Sequence, residues 1–365
     1  MVESVFIIGA TGKVGKELVH QIYDKGDTNT KMHKNPTRVV GLASSTSVLY
    51  RPEGISEKEA KDFSKRSVSG EKYEGVLDLF KFIKSSAANL SVVDVTSCKE
   101  DMLELHKKII KETKHKIVTA NKNPLTLSNF ESFQQLIGEP RRYGYRCSVM
   151  AGAEAVDKIM DMRDLGEMPT EIMGSFSGTL GYIASEIESG KKFSDVLKDA
   201  IKMGYTEPNP VVDLSGEDVA KKMLILVRTA GFNINISDIK LSSFVPKEYF
   251  MGERLDASAE SVKNLDTFLS EKMEDAKKKG GTLRYVARFK FNGSKPEMSV
   301  GLEFVSLKEP LGKLQGAANK IVVKARIYGE KYYTVEAPGA GISITAMNVR
   351  RDLLHQIESR QVAST

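Results

Sequence analysis

Cysteine and histidine are scarce in this sequence, which argues against a structural zinc site. The only cysteines are Cys98 and Cys147, and the five histidines are scattered along the 365 residues. Neither cysteine belongs to a CxxC pair, and no group of cysteines and histidines has the spacing of zinc ligands. So little cysteine is typical of a protein from a reducing compartment.

Long apolar runs are also absent, and this excludes a membrane-spanning helix at the level of sequence. No run approaches the roughly 18 apolar residues that such a helix needs. The short run near Val5 follows Glu3, where a signal peptide would carry positive charge. The net charge of +6 is too small over this length to indicate nucleic-acid binding. We expect a soluble cytoplasmic protein with no nucleic-acid or membrane partner.

The first part of the chain alternates between strand and helix patterns. Short apolar runs predict buried strands over residues 5–8, 38–42, 90–95 and 116–119. Apolar positions recur at helical spacing over residues 14–22 and 103–110. Residues 44–74 are polar, so we expect a long surface excursion there. Strands that alternate with helices predict βαβ units and a parallel sheet of Rossmann type.

After about Tyr145 the pattern changes to longer strands. These are predicted over residues 171–177, 283–291, 298–305 and 320–327. In the second of them, apolar residues alternate with Arg284, Arg288 and Lys290, which predicts an antiparallel sheet with one solvent-exposed face. Helices are predicted over residues 216–229, 258–279 and 344–357.

These patterns together predict an α/β fold with two domains. Residues 1–145 would form a dinucleotide-binding domain, with residues 330–365 packing back onto it. Residues 146–329 would form an α+β domain for substrate binding and dimerisation, built on a mixed or antiparallel sheet.

A glycine-rich turn joins the first predicted strand to the first predicted helix. Its residues are Gly9, Ala10, Thr11, Gly12, Lys13, Val14 and Gly15. Glycine allows a tight turn and a close approach to a pyrophosphate, and the helix N-terminus offers N–H groups and a positive dipole end. We therefore predict dinucleotide binding here. A tight strand–helix turn without a ligand is the alternative.

The second strand ends without the carboxylate that usually binds the adenosine ribose of NAD. It leads instead into Ser44, Ser45 and Thr46, with Arg51 nearby. Hydroxyl groups and an arginine suit a 2′-phosphate, so we predict NADP and leave NAD open. Arg51 could equally be a solvated loop residue.

A stiff segment precedes the predicted helix over residues 216–229. Pro208 and Pro210 hold Glu207 on extended backbone, while Asp218 and Lys222 lie four residues apart on one helix face. A carboxylate beside a lysine is a candidate pair for proton transfer. The alternative is that Asp218 serves the first turn of the helix, beginning at Ser215, and that Lys222 makes a surface ion pair.

The stretch from residue 204 to residue 222 closely resembles the signature of homoserine dehydrogenases, with Asn209 in place of the usual aspartate. Further segments resemble the same family in the same order. They are Asp94-Val-Thr96-Ser97, Thr119-Ala-Asn121-Lys122, residues 174–183, Pro310-Leu311 with residues 316–319, and residues 338–341 with Thr345-Ala346. The resemblance spans nearly the whole chain and implies an enzyme that interconverts L-aspartate 4-semialdehyde and L-homoserine in the synthesis of threonine, methionine and isoleucine.

The resemblance also implies a role for individual residues. Lys122 and Lys222 would flank the reacting carbonyl, one of them as proton donor, and Asp218 would orient Lys222 and the substrate. The substrate would be bound by Glu207, Asp213, Tyr205, Thr179 and Gly178. The dinucleotide would be bound by the glycine-rich turn and by Ser44, Thr96, Ser97, Asn121, Gly339 and Gly341. A homodimer formed through the second domain's sheet is implied as well.

Two segments depart from the family pattern. One is the glycine-rich turn over residues 9–15, whose spacing is closer to a pattern seen in aspartate-semialdehyde dehydrogenases. The other is a loop after residue 145. Where the family often has a glutamate and a glycine in a loop that holds a monovalent cation, this chain has Arg146 and Met150. The main-chain carbonyls of Val149 and Ala151 are retained as a candidate Na+ site. Since the sequence stops at Thr365, soon after the last matched helix, we also expect a short monofunctional form without a C-terminal regulatory domain.

Two other functions remain open from the sequence. A dehydrogenase that acylates aspartate semialdehyde would need a nucleophilic cysteine, for which Cys98 and Cys147 are the candidates. Because Cys147 falls in a predicted strand, a buried apolar role suits it better. A catalytically inactive dinucleotide-binding sensor would bind the cofactor without turnover, but Lys122, Glu207, Asp218 and Lys222 are all present.

Overall fold

The structure is a computed structural model that describes residues 2–33, 35–86, 90–206, 209–252, 254–255 and 258–362, with side chains to residue 357. The chain forms two compact units. The first comprises Met1–Gly152 and Ala340–Thr365, and the second comprises Ala153–Gly339. The first unit therefore ends at residue 152 rather than 145, and resumes at 340 rather than 330.

The first unit is built on a seven-stranded sheet. Its elements are β1 (Glu3–Ile8), α1 (Lys13–Asp24), β2 (Thr37–Ala43), β3 (Ser47–Tyr50), α2 (Glu57–Ser64), β4 (Glu71–Lys72), α3 (Phe80–Ser85), β5 (Leu90–Asp94), α4 (Glu100–Glu112), β6 (Lys116–Thr119), α5 (Asn123–Leu127), α6 (Phe130–Ile137) and β7 (Tyr143–Gly144). The strand order is β4-β3-β2-β1-β5-β6-β7. Within it, β2, β1, β5, β6 and β7 pair in parallel.

The register of this sheet brings three strand ends together. Ile8 at the end of β1 pairs with Asp94 at the end of β5, and Asp94 pairs with Thr119 at the end of β6. All residues of β1 and β5 are buried, as expected for parallel strands that are covered on both faces. Ligands of such sheets bind beyond the carboxyl ends of the strands.

The polar stretch over residues 44–74 is not simply a surface excursion, because it contains β3, α2 and β4. Helix α2 starts with a capping box. The Ser56 hydroxyl accepts from the Glu59 N–H, and the Glu59 carboxylate accepts from the Ser56 N–H. Ala60 and Phe63 then join the core of the first unit. Two buried apolar residues in a mostly polar eight-residue helix give little periodic signal.

The second unit contains the remaining elements except the last helix. They are α7 (Ala155–Asp164), β8 (Pro169–Ser175), α8 (Gly178–Glu188), α9 (Phe193–Lys202), α10 (Val211–Ser215), α11 (Glu217–Thr229), β9 (Lys240–Leu241), β10 (Phe250–Met251), β11 (Arg254–Leu255), α12 (Ala259–Lys278), β12 (Gly281–Lys290), β13 (Glu297–Ser306), β14 (Ala318–Ala325) and β15 (Tyr333–Pro338). Its six-stranded sheet has the order β15-β14-β8-β12-β13-β9 and is mixed, since only β13 and β9 pair in parallel. Helix α13 (Ile342–Val362) belongs to the first unit, where Ala346, Val349 and Leu353 enter the core.

Two local predictions are wrong. Strand β12 has no solvent-exposed face along most of its length: Arg284 is 2% exposed, and its guanidinium pairs with Glu188 and with the Thr282 hydroxyl. The sequence predicts an exposed arginine here because the partner Glu188 lies far away in the chain. Cys147 lies in a 3₁₀ turn (Arg146–Ser148) rather than in a strand.

In the ranges that the structure describes, no helix is long and apolar enough to cross a membrane.

Candidate active site

The glycine-rich turn lies between β1 and α1, as the sequence predicts. Gly9 has a φ of +92°, and a Cβ atom on Gly15 would lie 2.0 Å from the Gly9 carbonyl oxygen, so both positions require glycine. Helix α1 begins at Lys13 with Gly12 as its N-cap, and no side chain caps it. The N–H groups of its first turn, at Lys13 and Val14, therefore suit an anionic ligand group.

Beside this turn is a small polar cavity of about 170 Å³. It is lined by hydroxyl groups that include those of Thr11, Ser44 and Ser47, and by Arg66. The Arg66 side chain is exposed, and none of the described residues gives it an ion-pair partner. Arg51 does not line the cavity; its guanidinium donates to the Tyr50 carbonyl. The arginine at this cavity is thus one that sequence reasoning missed.

The end of β5 holds a buried carboxylate that organises the loop after it. Asp94 is fully buried, and its Oδ1 accepts hydrogen bonds from the Thr96 backbone N–H (2.9 Å) and the Thr96 hydroxyl (2.7 Å). The Thr119 hydroxyl donates to Oδ2 at 3.3 Å. Burial raises the pKa of the Asp94 carboxyl to about 6, although the bonds from Thr96 act to lower it. Because the Thr96 hydroxyl and the Thr96 backbone N–H both donate to Asp94, neither donor is available to a ligand.

Two further buried groups lie behind Asp94. The His106 Nε2 atom is 3.5 Å from Asp94 Oδ2, and His106 Nδ1 is 2.7 Å from the Tyr143 hydroxyl. Burial lowers the pKa of the His106 imidazole to about 3 and raises the pKa of the Tyr143 hydroxyl. A neutral histidine therefore lies beside the carboxylate, and its Nε2 atom has no hydrogen-bond partner among the described residues. Sequence reasoning missed His106, which stands in a helix pattern with no motif around it.

The loop after β6 is tied to the loop after β5. The Asn121 amide donates to the Cys98 carbonyl at 2.8 Å, and its oxygen accepts from the Asn123 N–H. Ser97 is exposed, and its carbonyl accepts from the Asn123 amide. Lys122 immediately follows Asn121, is half-buried, and precedes α5. The fold thus brings Thr96, Ser97, Asn121 and Lys122 to one edge of the parallel sheet.

In the second unit, Lys222 is anchored from two sides. Its ammonium donates to the Phe176 carbonyl at 2.7 Å and lies 2.9 Å from Asp218 Oδ2. The Lys222 side chain is 11% exposed, whereas the Asp218 side chain is 55% exposed. The pair joins the first turn of α11 to the chain just beyond β8, and its carboxylate is open to solvent.

The start of α11 bears on the alternative role for Asp218. The N-cap is Gly216, which has no side chain to cap the helix, and the Ser215 hydroxyl accepts from the Glu217 N–H at 3.2 Å. A Cβ atom on Gly216 would lie 1.8 Å from the Tyr285 hydroxyl oxygen, so this turn requires glycine. Asp218 lies in the first turn, where a carboxylate is favoured by the helix dipole, and it also holds Lys222.

The other predicted substrate residues of the second unit lie on nearby segments. Gly178 and Thr179 open α8, and the Thr179 hydroxyl donates to the Tyr205 carbonyl at 2.6 Å. Tyr205 is 46% exposed. Asp213 is half-buried on α10. Glu207 lies outside the described residues.

The two glycines predicted to close over the cofactor differ in setting. Gly339 follows β15, and a Cβ atom there would lie 1.7 Å from the Asn319 amide nitrogen. Asn319 is fully buried, and neither polar atom of its side chain has a hydrogen-bond partner among the described residues. Gly341, in the first unit, has a φ of +148°. Only glycine suits either position.

The candidate Na+ loop ends the first unit. The Val149 carbonyl accepts from the Gly152 N–H at 3.0 Å, and the Ala151 carbonyl accepts from the Asn348 amide at 2.8 Å. The described residues contain no group of three or more His, Cys, Asp or Glu side chains that could hold a metal ion.

The sequence of this chain matches a family model and several known proteins. A family model described as homoserine dehydrogenase matches residues 156–354, more than half of the chain. The homoserine dehydrogenase of Schizosaccharomyces pombe is 29% identical and covers 96% of this chain and 94% of its own length. The bifunctional aspartokinase/homoserine dehydrogenase of Haemophilus influenzae is 28% identical over 98% of this chain. The chain spans only 43% of that protein, and a similar share of the other bifunctional relatives that it matches.

Solved structures share the fold over 98% of the chain. A Candida auris protein of unknown function is similar with a TM-score of 0.84 and 26% identity, covering 98% of both chains. A hyperthermophilic archaeal homoserine dehydrogenase in complex with NADPH is similar with a TM-score of 0.73 and 20% identity, also covering 98% of both chains.

Proposed function

Because the chain belongs to the homoserine dehydrogenase family, we propose that it interconverts L-aspartate 4-semialdehyde and L-homoserine with a nicotinamide dinucleotide. The observation that carries this proposal is the anchored Lys222–Asp218 pair, which presents an ammonium and an exposed carboxylate on one helix. When bound, the dinucleotide supplies or accepts the hydride at the substrate carbon.

Two lysines, Lys222 of the second unit and Lys122 of the first, would handle the proton. As the aldehyde is reduced, negative charge develops on its oxygen, and an ammonium group can stabilise that charge and donate a proton. The Phe176 carbonyl and Asp218 hold the Lys222 ammonium in one direction, which suits this role. Lys122, in the first unit, is the second ammonium that we propose for the reaction. Thr179, Gly178, Tyr205, Asp213 and Glu207 would bind the amino-acid part of the substrate.

The residues of the first unit would bind the dinucleotide. The glycine-rich turn and the open start of α1 suit the pyrophosphate, and the loops after β5 and β6 suit the nicotinamide end. We propose NADP as the preferred cofactor, because the cavity beside Ser44 combines hydroxyl groups with the Arg66 guanidinium. An arginine pairs well with a phosphate. A 2′-phosphate is present in NADP and absent from NAD.

An acylating dehydrogenase is disfavoured by the state of the two thiols. Burial raises the pKa of the Cys98 thiol, which disfavours the reactive thiolate. Cys147 is buried, and its sulfur lies 3.6 Å from the Thr345 carbonyl oxygen. A catalytic cysteine needs an accessible thiol with a lowered pKa, and neither cysteine combines the two. Full activity after treatment with iodoacetamide would support this conclusion.

A homodimer and a cytoplasmic location complete the proposal. The dimer would form through the sheet of the second unit, where β15 is an edge strand with alternating exposed residues. Light scattering on the purified chain would report twice the mass of 40.3 kDa. A single-chain mass at micromolar concentration would contradict the dimer.

The experiment for the catalytic proposal is homoserine oxidation at mildly alkaline pH, followed by the absorbance of the reduced nicotinamide with NAD and NADP in parallel. We expect turnover with homoserine and none with serine or malate. Measurable NADPH binding without turnover would instead indicate the dinucleotide-binding sensor. Phosphate-dependent reduction of the dinucleotide with aspartate semialdehyde would indicate the acylating enzyme.

A further inference from the structure

In the loop over residues 149–152, three of the four carbonyl groups accept hydrogen bonds from N–H donors. The Ala151 carbonyl accepts from the Asn348 amide at 2.8 Å, and the Gly152 carbonyl accepts from the Arg351 guanidinium at 2.8 Å. The Val149 carbonyl accepts from the Gly152 N–H. A cation that is bound by carbonyl oxygens needs their lone pairs directed at it, and here N–H groups approach those oxygens instead.

The charges around this loop are also unfavourable for a metal cation. Arg351 brings a guanidinium onto the loop, and Arg146 stands where the family pattern has a glutamate. The buried carboxylate nearby, that of Asp352, pairs with Arg146 at 2.7 Å and also accepts the Arg146 backbone N–H. A Na+ ion placed here would meet positive charge rather than an acidic ligand. The residues present therefore do not fit a monovalent cation.

The loop backbone needs support that α13 provides. Met150, Ala151 and Gly152 have φ angles of 50°, 51° and 91°, and the first two are not glycine. Left-handed backbone at such residues costs roughly 1–2 kcal/mol each. A Cβ atom on Gly152 would lie 2.5 Å from the Asn348 Cβ atom, so the helix lies directly against the loop. The side chains of α13 thus hold a backbone shape that is unfavourable by itself.

We infer that Asn348 and Arg351 of α13 take the place of a bound monovalent cation in this chain. The part of this inference that concerns turnover rests on the proposed function, whereas the part that concerns the fold does not. The guanidinium of Arg351 is a covalently attached cation at the loop carbonyls, so the enzyme needs neither Na+ nor K+ for its fold or its turnover.

The first test compares the wild-type protein in NaCl, KCl and choline chloride at equal ionic strength. We expect homoserine oxidation, NADPH affinity and Tm to agree between the three salts, within about twofold in the rate and about 1 °C in Tm. A saturable activation of more than about threefold, or a saturable rise in Tm, by Na+ or K+ over choline would overturn the inference. If no salt supports turnover, the proposed function fails, while the comparison of Tm in the three salts still decides the cation question.

A pair of variants on one helix sharpens the test. Arg351→Met keeps an unbranched side chain of similar length and removes the guanidinium that donates to the Gly152 carbonyl. Arg350→Met instead removes a neighbouring guanidinium that pairs with Asp27. Both should lower Tm. Only Arg351→Met should acquire a Na+-dependent Tm, by about 2 °C or more over choline. Equal salt responses of the two variants would contradict the role of Arg351. If Arg351→Met does not fold, the wild-type comparison still decides.

Discussion

Two aspartates, Asp94 in the first unit and Asp218 in the second, stand in opposite settings. Asp94 is fully buried and accepts hydrogen bonds from Thr96 and Thr119. Asp218 is more than half exposed and holds Lys222. A buried carboxylate whose acceptors are filled can shape a loop but cannot meet a ligand. An exposed carboxylate beside an anchored lysine can do so.

The same contrast extends to the residues around each aspartate. In the first unit, the Thr96 hydroxyl, the Thr96 backbone N–H and the Asn121 amide all donate to other parts of the unit, so these groups shape the loop. In the second unit, Tyr205 and Asp218 reach the surface. Residues of both kinds sit in motifs that resemble the family, so a motif alone does not tell whether a residue contacts the ligand or supports one that does.

The largest expected effect concerns the two lysines. Replacing Lys222 by Ala should lower kcat by about 10³-fold, because general acid–base catalysis contributes about 10²–10⁴. Lys122→Ala should also lower kcat by orders of magnitude. Fluorescence titration with NADPH and circular dichroism should show intact cofactor binding and fold in both variants. Turnover close to wild type in both would remove them from the mechanism.

A smaller effect separates the two roles considered for Asp218. Asp218→Asn should lower kcat/KM for homoserine by about tenfold to a hundredfold, equivalent to roughly 1.4–2.7 kcal/mol of transition-state stabilisation. Glu217→Gln is the matched control, since Glu217 is an exposed acidic residue of the same first turn. Loss of Tm with unchanged specific activity in Asp218→Asn would show that the residue serves the helix end alone.

A further prediction separates two arginines in the first unit. Arg66→Ala should raise KM for NADP about tenfold and change KM for NAD less than about twofold, because one arginine–phosphate contact is worth roughly 1.5–3 kcal/mol and this one is exposed. Arg51→Ala should change neither constant, as its guanidinium bonds to the Tyr50 carbonyl. If Arg51→Ala weakens NADP binding and Arg66→Ala does not, then of the two roles that the sequence leaves open for Arg51, the phosphate ligand is the right one.

The smallest effect is on stability, and it tests whether burial shifts the pKa values of Asp94 and His106. The Asp94 pKa is raised from 3.8 to about 6, so the folded state binds the proton more tightly, and this residue's contribution to the free energy of unfolding falls as pH rises through that window. The His106 pKa is lowered from 6.5 to about 3, so its contribution rises with pH between those values. The two slopes offset each other between about pH 4 and pH 6 in the wild type.

Removing one group should therefore reveal the slope of the other. Relative to wild type, the unfolding free energy of Asp94→Asn should rise with pH, and that of His106→Gln should fall, by at most about 1.4 kcal/mol per pH unit. Urea unfolding across this range measures both. Slopes of the same sign in the two variants would mean that the pair does not titrate as the burial of each group indicates.

Elements with a strong local pattern could be predicted from the sequence, and long-range partnerships could not. Strand β6 was predicted over residues 116–119 and is observed at Lys116–Thr119, because a short apolar run between polar residues is a sufficient signal. Helix α11 likewise follows from its apolar periodicity. The burial of Arg284 depends on Glu188 in α8, which no local pattern reveals.

The candidate site shows the same limit. The glycine turn and the i, i+4 spacing of Asp218 and Lys222 are local, and the sequence predicts them directly. Arg66 reaches the cavity of Ser44 only because β3 and α2 return the chain to that place. The donors to the Ala151 and Gly152 carbonyls come from α13, about two hundred residues later in the chain.

The most direct test of the division between the two units is a double-mutant cycle of Arg66→Ala and Asp218→Asn in the homoserine oxidation assay, with both substrates varied. We expect Arg66→Ala to change only KM for NADP and Asp218→Asn to change only the parameters for homoserine. In the double variant the two effects on kcat/KM should multiply to within about twofold, as for independent sites. A change in KM for NADP in Asp218→Asn, or a coupling beyond about fivefold, would contradict the assignment of cofactor to the first unit and substrate to the second.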